Sequence, residues 1–315
     1  MPGPPVSAII VGGLPCGQGW CSAGAARWRR CAVRIYGVDF TSAPSSAKPI
    51  VCAKCWFEEG KLQVEEINTG ISDFGAFEAF LGAPGPWVAG LDFPFGLPRK
   101  LVEELGWPCS WAEYVGGFCG TDEDVRRFEI LIAGYRLRKP PGQKHLFRET
   151  DRRAGAVSPM SLYGTPVGRM FVRGAPRLLR AGVNVLPCRP VGDSRTVVEV
   201  YPGLAARKLV GRVPYKRGRA KSGLSEMAEV RRRIVEGLLR GLPGLDYGLL
   251  IEIEDELIEQ CLADETGDRL DSVLCAVQAA WAYSQREFGW GIPPWCDPVE
   301  GWITDPALLD APNPF

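Results

Sequence analysis

The run Arg34-Ile35-Tyr36-Gly37-Val38-Asp39-Phe40-Thr41-Ser42 constrains this chain most. It is a short apolar strand that ends on a carboxylate, with two hydroxyls in the turn that follows. Alternation puts Val33, Ile35 and Gly37 on one side and Arg34, Tyr36 and Val38 on the other. Gly37 removes a side chain just before the acid, so another backbone or a ligand can come close there. Three later apolar segments also carry an acid: Leu91-Asp92, Val198-Glu199-Val200 and Leu270-Asp271-Ser272-Val273. These four segments are expected to converge, with Asp39, Asp92, Glu199 and Asp271 holding divalent metal. Taken singly, each acid also reads as a turn residue or a helix cap, the common fate of a lone Asp.

Composition narrows the chemistry. Lys and Arg number 37, as do Asp and Glu, so no basic field covers the whole protein. Local basic faces remain open, because the charges are unevenly placed. The single histidine, His145, excludes histidine-rich metal sites and would have to serve any Ser-His-Asp or Cys-His mechanism. Eleven cysteines without regular spacing argue for reduced thiols and a cytoplasmic protein rather than a disulfide framework. Cys52-x-x-Cys55 lacks the two further ligands that a zinc site needs. No apolar run is long enough to span a bilayer.

In chain order, residues 1–31 are rich in Gly, Pro, Ala and Cys and make a poor secretory signal. They are expected to form a disordered or loosely packed leader, or an over-long translation start. Residues 49–58 and 61–69 read as a hairpin turning at Glu59-Gly60. A helix over 73–81, capped by Asp73, leads to a strand over 87–92, and the crossover should be parallel. That would set Asp92 beside Asp39. Residues 99–136 read as helical pieces, the last capped by Thr121.

The segment from Arg136 to Arg153 is strongly basic and reads as a phosphate-binding insertion. A helix after Pro166, a short strand at Asn184–Leu186, a strand over 196–201 and a helix after Pro202-Gly203 follow. A second basic run includes Arg207, Lys208, Lys216, Arg217, Arg219 and Lys221. A helix over 222–240 precedes an acidic stretch at 252–265, read as a solvated helix and turn. The last helix opens at Asp268, with Asp268 and Asp271 three apart on one side. The Pro- and Trp-rich tail over 289–315 is expected to pack across the surface.

Strand-Asp, hairpin, helix, strand-Asp, a late strand and a helix opening on Asp is the order of the RNase H-like fold. The segments GVDFTSA (37–43), GLDFPFGLP (90–98), FRETDRR (147–153), VEVYPGLAARKL (198–209), Tyr215-Lys216 and DRLDSVLCAVQAA (268–280) resemble an uncharacterised family of predicted nucleases with that fold. The resemblance covers roughly residues 33–285. It implies an α/β domain over 32–288, a mixed five-stranded sheet flanked by helices, with helical and basic insertions at about 99–180 and 207–265. It also implies that Asp39, Asp92, Glu199 and Asp271 are the catalytic acids, with Asp268 beside them, and that Arg148, Asp151 and Lys216 match the family's Arg/Asp segment and Tyr-Lys pair. Ser272 departs mildly from the pattern, where a small Ala is commoner.

The activity this implies is metal-dependent phosphodiester hydrolysis. Two Mg²⁺ or Mn²⁺ ions, which prefer oxygen ligands, would clamp an in-line displacement. Asp39 would bridge them, Asp92 and Asp271 would hold one each, and Glu199 or Asp268 would complete the shell. Thr41, Ser42, Arg148, Asp151 and Lys216 would contact a nucleic acid or nucleotide substrate. Phe93, Phe95 and Tyr201 read as packing residues or, alternatively, as surfaces for base stacking. Two other classes stay open. One is an ATP-dependent phosphotransferase of the sugar-kinase and actin-like group, in which Gly37 to Ser42 would serve nucleotide phosphates. Against it stand the lack of a second Gly-rich phosphate turn and of a Walker A pattern. The other is a catalytically inactive nucleic-acid-binding protein on the same fold.

Overall fold

The computed structural model describes residues 32–217, 223–241 and 247–309. The expected leader, Arg219 and Lys221 of the second basic run, and residues 310–315 of the tail lie outside them. Among the described residues no helix is long and apolar enough to cross a membrane.

One mixed sheet forms the centre. Its strands are β1 (Val33–Asp39), β2 (Ile50–Glu58), β3 (Lys61–Ile71), β4 (Trp87–Leu91), β5 (Asn184–Leu186), β6 (Arg195–Glu199) and β7 (Leu250–Ile253). Their spatial order is β5-β6-β4-β1-β2-β3-β7. The hairpin makes β1, β2 and β3 antiparallel, while β4 runs parallel to β1, and β6 and β5 continue in parallel. The expected crossover is thus present, through helix α1 (Phe74–Leu81). Asp73 caps that helix by accepting from the Ala76 N–H at 2.8 Å.

The sheet has seven strands where five were expected. The added edge strand β7 runs into the start of the acidic stretch that reads as a helix. Its sequence, LIEI, is too short for periodicity to separate strand from helix. It is fixed instead by parallel pairing with β3, Leu62 opposite Ile251, and the helix of that stretch starts only afterwards, at Asp255.

Helices cover both faces. On one lie α7 (Pro202–Val210), α8 (Leu224–Arg240), α9 (Asp255–Ala263) and α10 (Asp268–Ser284); on the other lie α1, α2 (Arg99–Glu104), α3 (Trp111–Gly116), α4 (Asp122–Leu137) and α6 (Val167–Ala181), while the short α5 (Glu149–Ala154) packs through Ala154 against Trp302, Ile303 and Leu308. The period-2 reading of β1 holds: Val33 and Ile35 join the first core, and Val38 joins the second. The same alternation separates Cys52 from Cys55, three apart on β2, so that they pack in different cores as free thiols.

Helix α10 is buried almost all round, from Leu270 to Ala282, and is therefore central rather than amphipathic. It presses on the sheet where two glycines face each other, Gly37 on β1 and Gly90 on β4. A Cβ at Gly37 would stand 2.0 Å from Ser272 O and 2.1 Å from Ala276 N, and one at Gly90 would stand 2.6 Å from Cys275 O. The close approach anticipated at Gly37 is thus made by the backbone of α10. The small residues Ser272, Cys275, Ala276 and Ala279 allow it.

The tail is not a surface wrap. Trp302, Ile303, Thr304 and Asp305 are buried, and Ile303 bridges to Glu199 at the end of β6. Asp305 accepts from Tyr247 Oη at 2.6 Å and Gln278 Nε2 at 2.7 Å, and pairs with Lys208 at 3.2 Å. Apolar spacing alone gave no sign of this polar network.

Candidate functional site

Strand alternation decides which acids meet. Asp39 follows Gly37 by two, and Asp92 follows Gly90 by two, so both acids face α10. Val38 pairs with Leu91, and the Asp92 N–H donates to Val38 O at 3.0 Å, which sets the two carboxyls side by side at one sheet edge. Helix α10 begins against the same edge and presents Asp271. Asp39, Asp92 and Asp271 each offer an oxygen, and these oxygens lie within 4.8 Å of one another. Asp39 and Asp92 are half-buried and Asp271 is buried.

Glu199 does not join them. In the register it stands opposite Leu91, one residue before Asp92, and so projects from the other face of the sheet. There its Oε2 accepts from the Phe95 N–H at 2.8 Å and from Arg148 Nη1 at 2.8 Å, and its Oε1 accepts from Arg148 Nη2 at 2.6 Å. The expectation of Glu199 as a metal ligand is corrected: it stands on the other face of the sheet from the three grouped acids. Arg148 and Asp151 are corrected with it. Arg148 is 1% exposed and forks onto Asp151 at 2.7 Å as well as onto Glu199, so both residues are buried in one ion-pair network. Burial pushes the Glu199 carboxyl up, and Arg148 opposes that push.

Much of the wider basic segment is likewise occupied. Arg136 donates to Met160 O, Lys139 pairs with Glu104 at 2.8 Å, and Arg152 and Arg153 both pair with Glu149. His145 lies exposed at the surface, 3.5 Å from Arg136. Arg136, Lys139, Arg152 and Arg153 thus brace helices and loops, while Arg138 and Lys144 of the same segment lie exposed at the surface.

Lys216, by contrast, is brought to the acids. Its Nζ forms an ion pair with Asp271 Oδ2, while Tyr215 Oη donates to Asp271 Oδ1 at 2.7 Å. Tyr215 was visible only as half of a Tyr-Lys pair, and its part in holding Asp271 is new. Asp268 lies one turn ahead on α10; its charge reaches Asp39, but it stands outside the group of three. Thr41 is buried, with Oγ1 accepting from the Ala43 N–H at 3.4 Å, and Ser42 is half-buried in the same turn after Asp39. Phe93 and Phe95 are buried ring against ring, 5.3 Å apart, and act as packing; Tyr201 lies under the Arg207 guanidinium.

Burial holds two of the three acids, Asp39 and Asp92, against ionisation. Burial pushes Asp39 up to about 8; Lys216 pulls it down, and Asp268 and Asp92 push it up further. Burial likewise pushes Asp92 up to about 7, again against the pull of Lys216. Burial, then the charges of Asp92 and Asp39, push the Tyr215 hydroxyl well up, so it stays a donor to Asp271. The donor set is all oxygen, which suits Mg²⁺ or Mn²⁺.

A family model described as "Protein of unknown function (DUF429)" matches residues 21–287. No curated protein and no solved structure matches the chain.

Proposed function

This chain belongs to the DUF429 family, whose description assigns no activity, and we propose that it is a metal-dependent nuclease, a hydrolase of phosphodiester bonds. The observation that carries the reading is the convergence of Asp39, Asp92 and Asp271 from the ends of two neighbouring parallel strands and the start of the central helix. The strand arrangement supports an RNase H-like fold: the five central strands run β3-β2-β1-β4-β6, the first three antiparallel and the rest parallel. Beyond them, β5 and β7 would be additions at the two edges.

Asp39, Asp92 and Asp271 would hold Mg²⁺ or Mn²⁺, with Asp268 at the rim. A divalent ion held there supplies Lewis acidity toward a phosphoryl oxygen and a water of lowered pKa. The chain's own contributions are orientation and charge. Tyr215 fixes one oxygen of Asp271, leaving the other to its cationic partner. Gly37 and Gly90 set how close α10, and so Asp271, comes to the two strand acids. The Glu199–Arg148–Asp151 network holds the end of β6 from the other face of the sheet.

The test is direct. Purified protein is incubated with Mn²⁺ or Mg²⁺ and labelled single-stranded, duplex, branched and DNA–RNA hybrid substrates, with Asp39→Asn in parallel. Cutting that needs the metal and falls to background in the variant is the expected result. Cutting that persists in Asp39→Asn, or in the presence of a chelator, would remove the reading.

A further inference from the structure

The acid group carries a cation of its own, and the fold goes to some length to place it. Lys216 sits between two pinned neighbours. On one side the Tyr215 carbonyl accepts from Arg231 Nη1 at 2.8 Å, and Arg231, itself 2% exposed, donates from Nε and Nη2 to Leu262 O at 3.0 and 2.8 Å. On the other, the Arg217 N–H donates to Glu265 O at 2.8 Å. The stem of Lys216 then crosses Gly267, the residue that starts α10 with φ 74°. A Cβ at Gly267 would stand 2.7 Å from Lys216 Cγ, so the glycine serves both the left-handed backbone and the passage of the lysine. The ammonium reaches Asp271 while the side chain keeps about a third of its surface in solvent, at 35% exposure.

Charge then limits what else fits. Asp39, Asp92, Asp271 and Asp268 at the rim carry four negative charges; one divalent ion and one ammonium supply three positive ones, and a second divalent ion would leave the group net positive. The fourth acid of the neighbouring strand, Glu199, is on the opposite face and already bonded by Arg148. A second divalent ion would find only Asp268, which stands outside the group of three, and would be repelled by Lys216. We infer that Lys216 is a built-in cation of this site, supplying the charge that a second divalent ion supplies elsewhere, so that the chain takes one divalent ion rather than two. The inference rests on the metal-dependent reading above. It gives Lys216 a compact positive charge with three donors, able to face a phosphate oxygen opposite the ion.

Metal-free full-length chain is titrated with Mn²⁺, and bound ions are counted by equilibrium dialysis for the wild type, Lys216→Met and Lys216→Arg. The expected counts are one ion for the wild type and Lys216→Arg, and two for Lys216→Met. Two ions on the wild type, or one on Lys216→Met at unchanged affinity, would overturn the inference while leaving metal-dependent hydrolysis standing. No ion on the wild type or on either variant would take down the metal reading itself, and the inference with it. Circular dichroism checks that Lys216→Met folds; should it fail to, the counts on the wild type and Lys216→Arg decide.

Discussion

On one face of the sheet, Glu199 and Asp151 share the guanidinium of Arg148; on the other, Asp39, Asp92 and Asp271 share the ammonium of Lys216. Both groups are acids gathered around one cation at the end of the same strands. They differ in how far the cation satisfies them. Arg148 presents a planar fork, bonds both acids from Nε and Nη2 or from Nη1 and Nη2, and spends a remaining donor on Glu300 O at 3.0 Å. Nothing is left over, and all three side chains are at most 2% exposed. Lys216 is a point charge that touches one acid of three and remains partly in water. A closed network holds a fold together; an open one leaves charge for a ligand to meet.

The largest expected effect comes from opening the closed network. Arg148→Met strands Glu199 and Asp151 as buried acids without a counter-charge and should cost about 3–5 kcal/mol of stability, read by urea unfolding. Asp39→Asn removes one repelling carboxyl from the open group and should leave metal-free stability unchanged or raised. Were Arg148→Met to keep its stability and lose only its cutting, Arg148 would be a substrate contact, as the resemblance implied, and the contrast between the faces would fail.

Next comes the packing that builds the open group. Gly37→Ala places a Cβ within 2.1 Å of two backbone atoms of α10, so the helix must move. Overpacking of this kind typically costs about 1–3 kcal/mol. Because Asp271 rides on α10, Mn²⁺ binding should weaken as well. Gly82→Ala is the control, since its nearest new neighbour would be 3.4 Å away, and it should change neither melting temperature nor binding. Equal effects from both substitutions would mean that the spacing between α10 and β1 does not tune the site.

Much of this was legible in the sequence. The strand that ends at Asp39, the hairpin, the parallel β4 and the helix opening at Asp268 follow from alternation, turn residues and caps. The meeting of Asp39 with Asp92 follows from the two Gly-x-Asp endings, and Gly37 correctly announced a close backbone. Glu199 was misplaced although the clue was present: Val198 and Val200 flank it as core residues, so period 2 turns it away from an acid that follows Leu91 by one. Arg148 and the other cations of its segment were unreadable for a different reason. Whether an arginine faces solvent or a buried acid depends on partners about 50 residues away, as Glu199 is from Arg148, and no local pattern reports that. The same holds for β7, which exists only by pairing with β3, and for Asp305, whose partners Tyr247, Gln278 and Lys208 come from distant segments.

The most graded effect is on pH. In the folded chain Asp39 and Asp92 are pushed up to about 8 and about 7 from an ordinary 3.8, so between roughly pH 4 and 8 the folded state binds more protons than the unfolded one. Stability of the metal-free protein should therefore be fully supported by these groups below about pH 4 and decline as pH rises through about 8, and Asp39→Asn should flatten that decline. Acid denaturation from other carboxylates sets in at the low end, so the window to read is pH 5.5 to 8.5. Mn²⁺ needs the deprotonated carboxylates, so its binding should tighten over the same window and release protons as it does. Melting temperatures across that window, with chelator and with Mn²⁺, check both. A metal-free stability that rises with pH would mean that Lys216 already keeps Asp39 and Asp92 charged. The open group would then be a second closed network, with no charge left for an ion to satisfy.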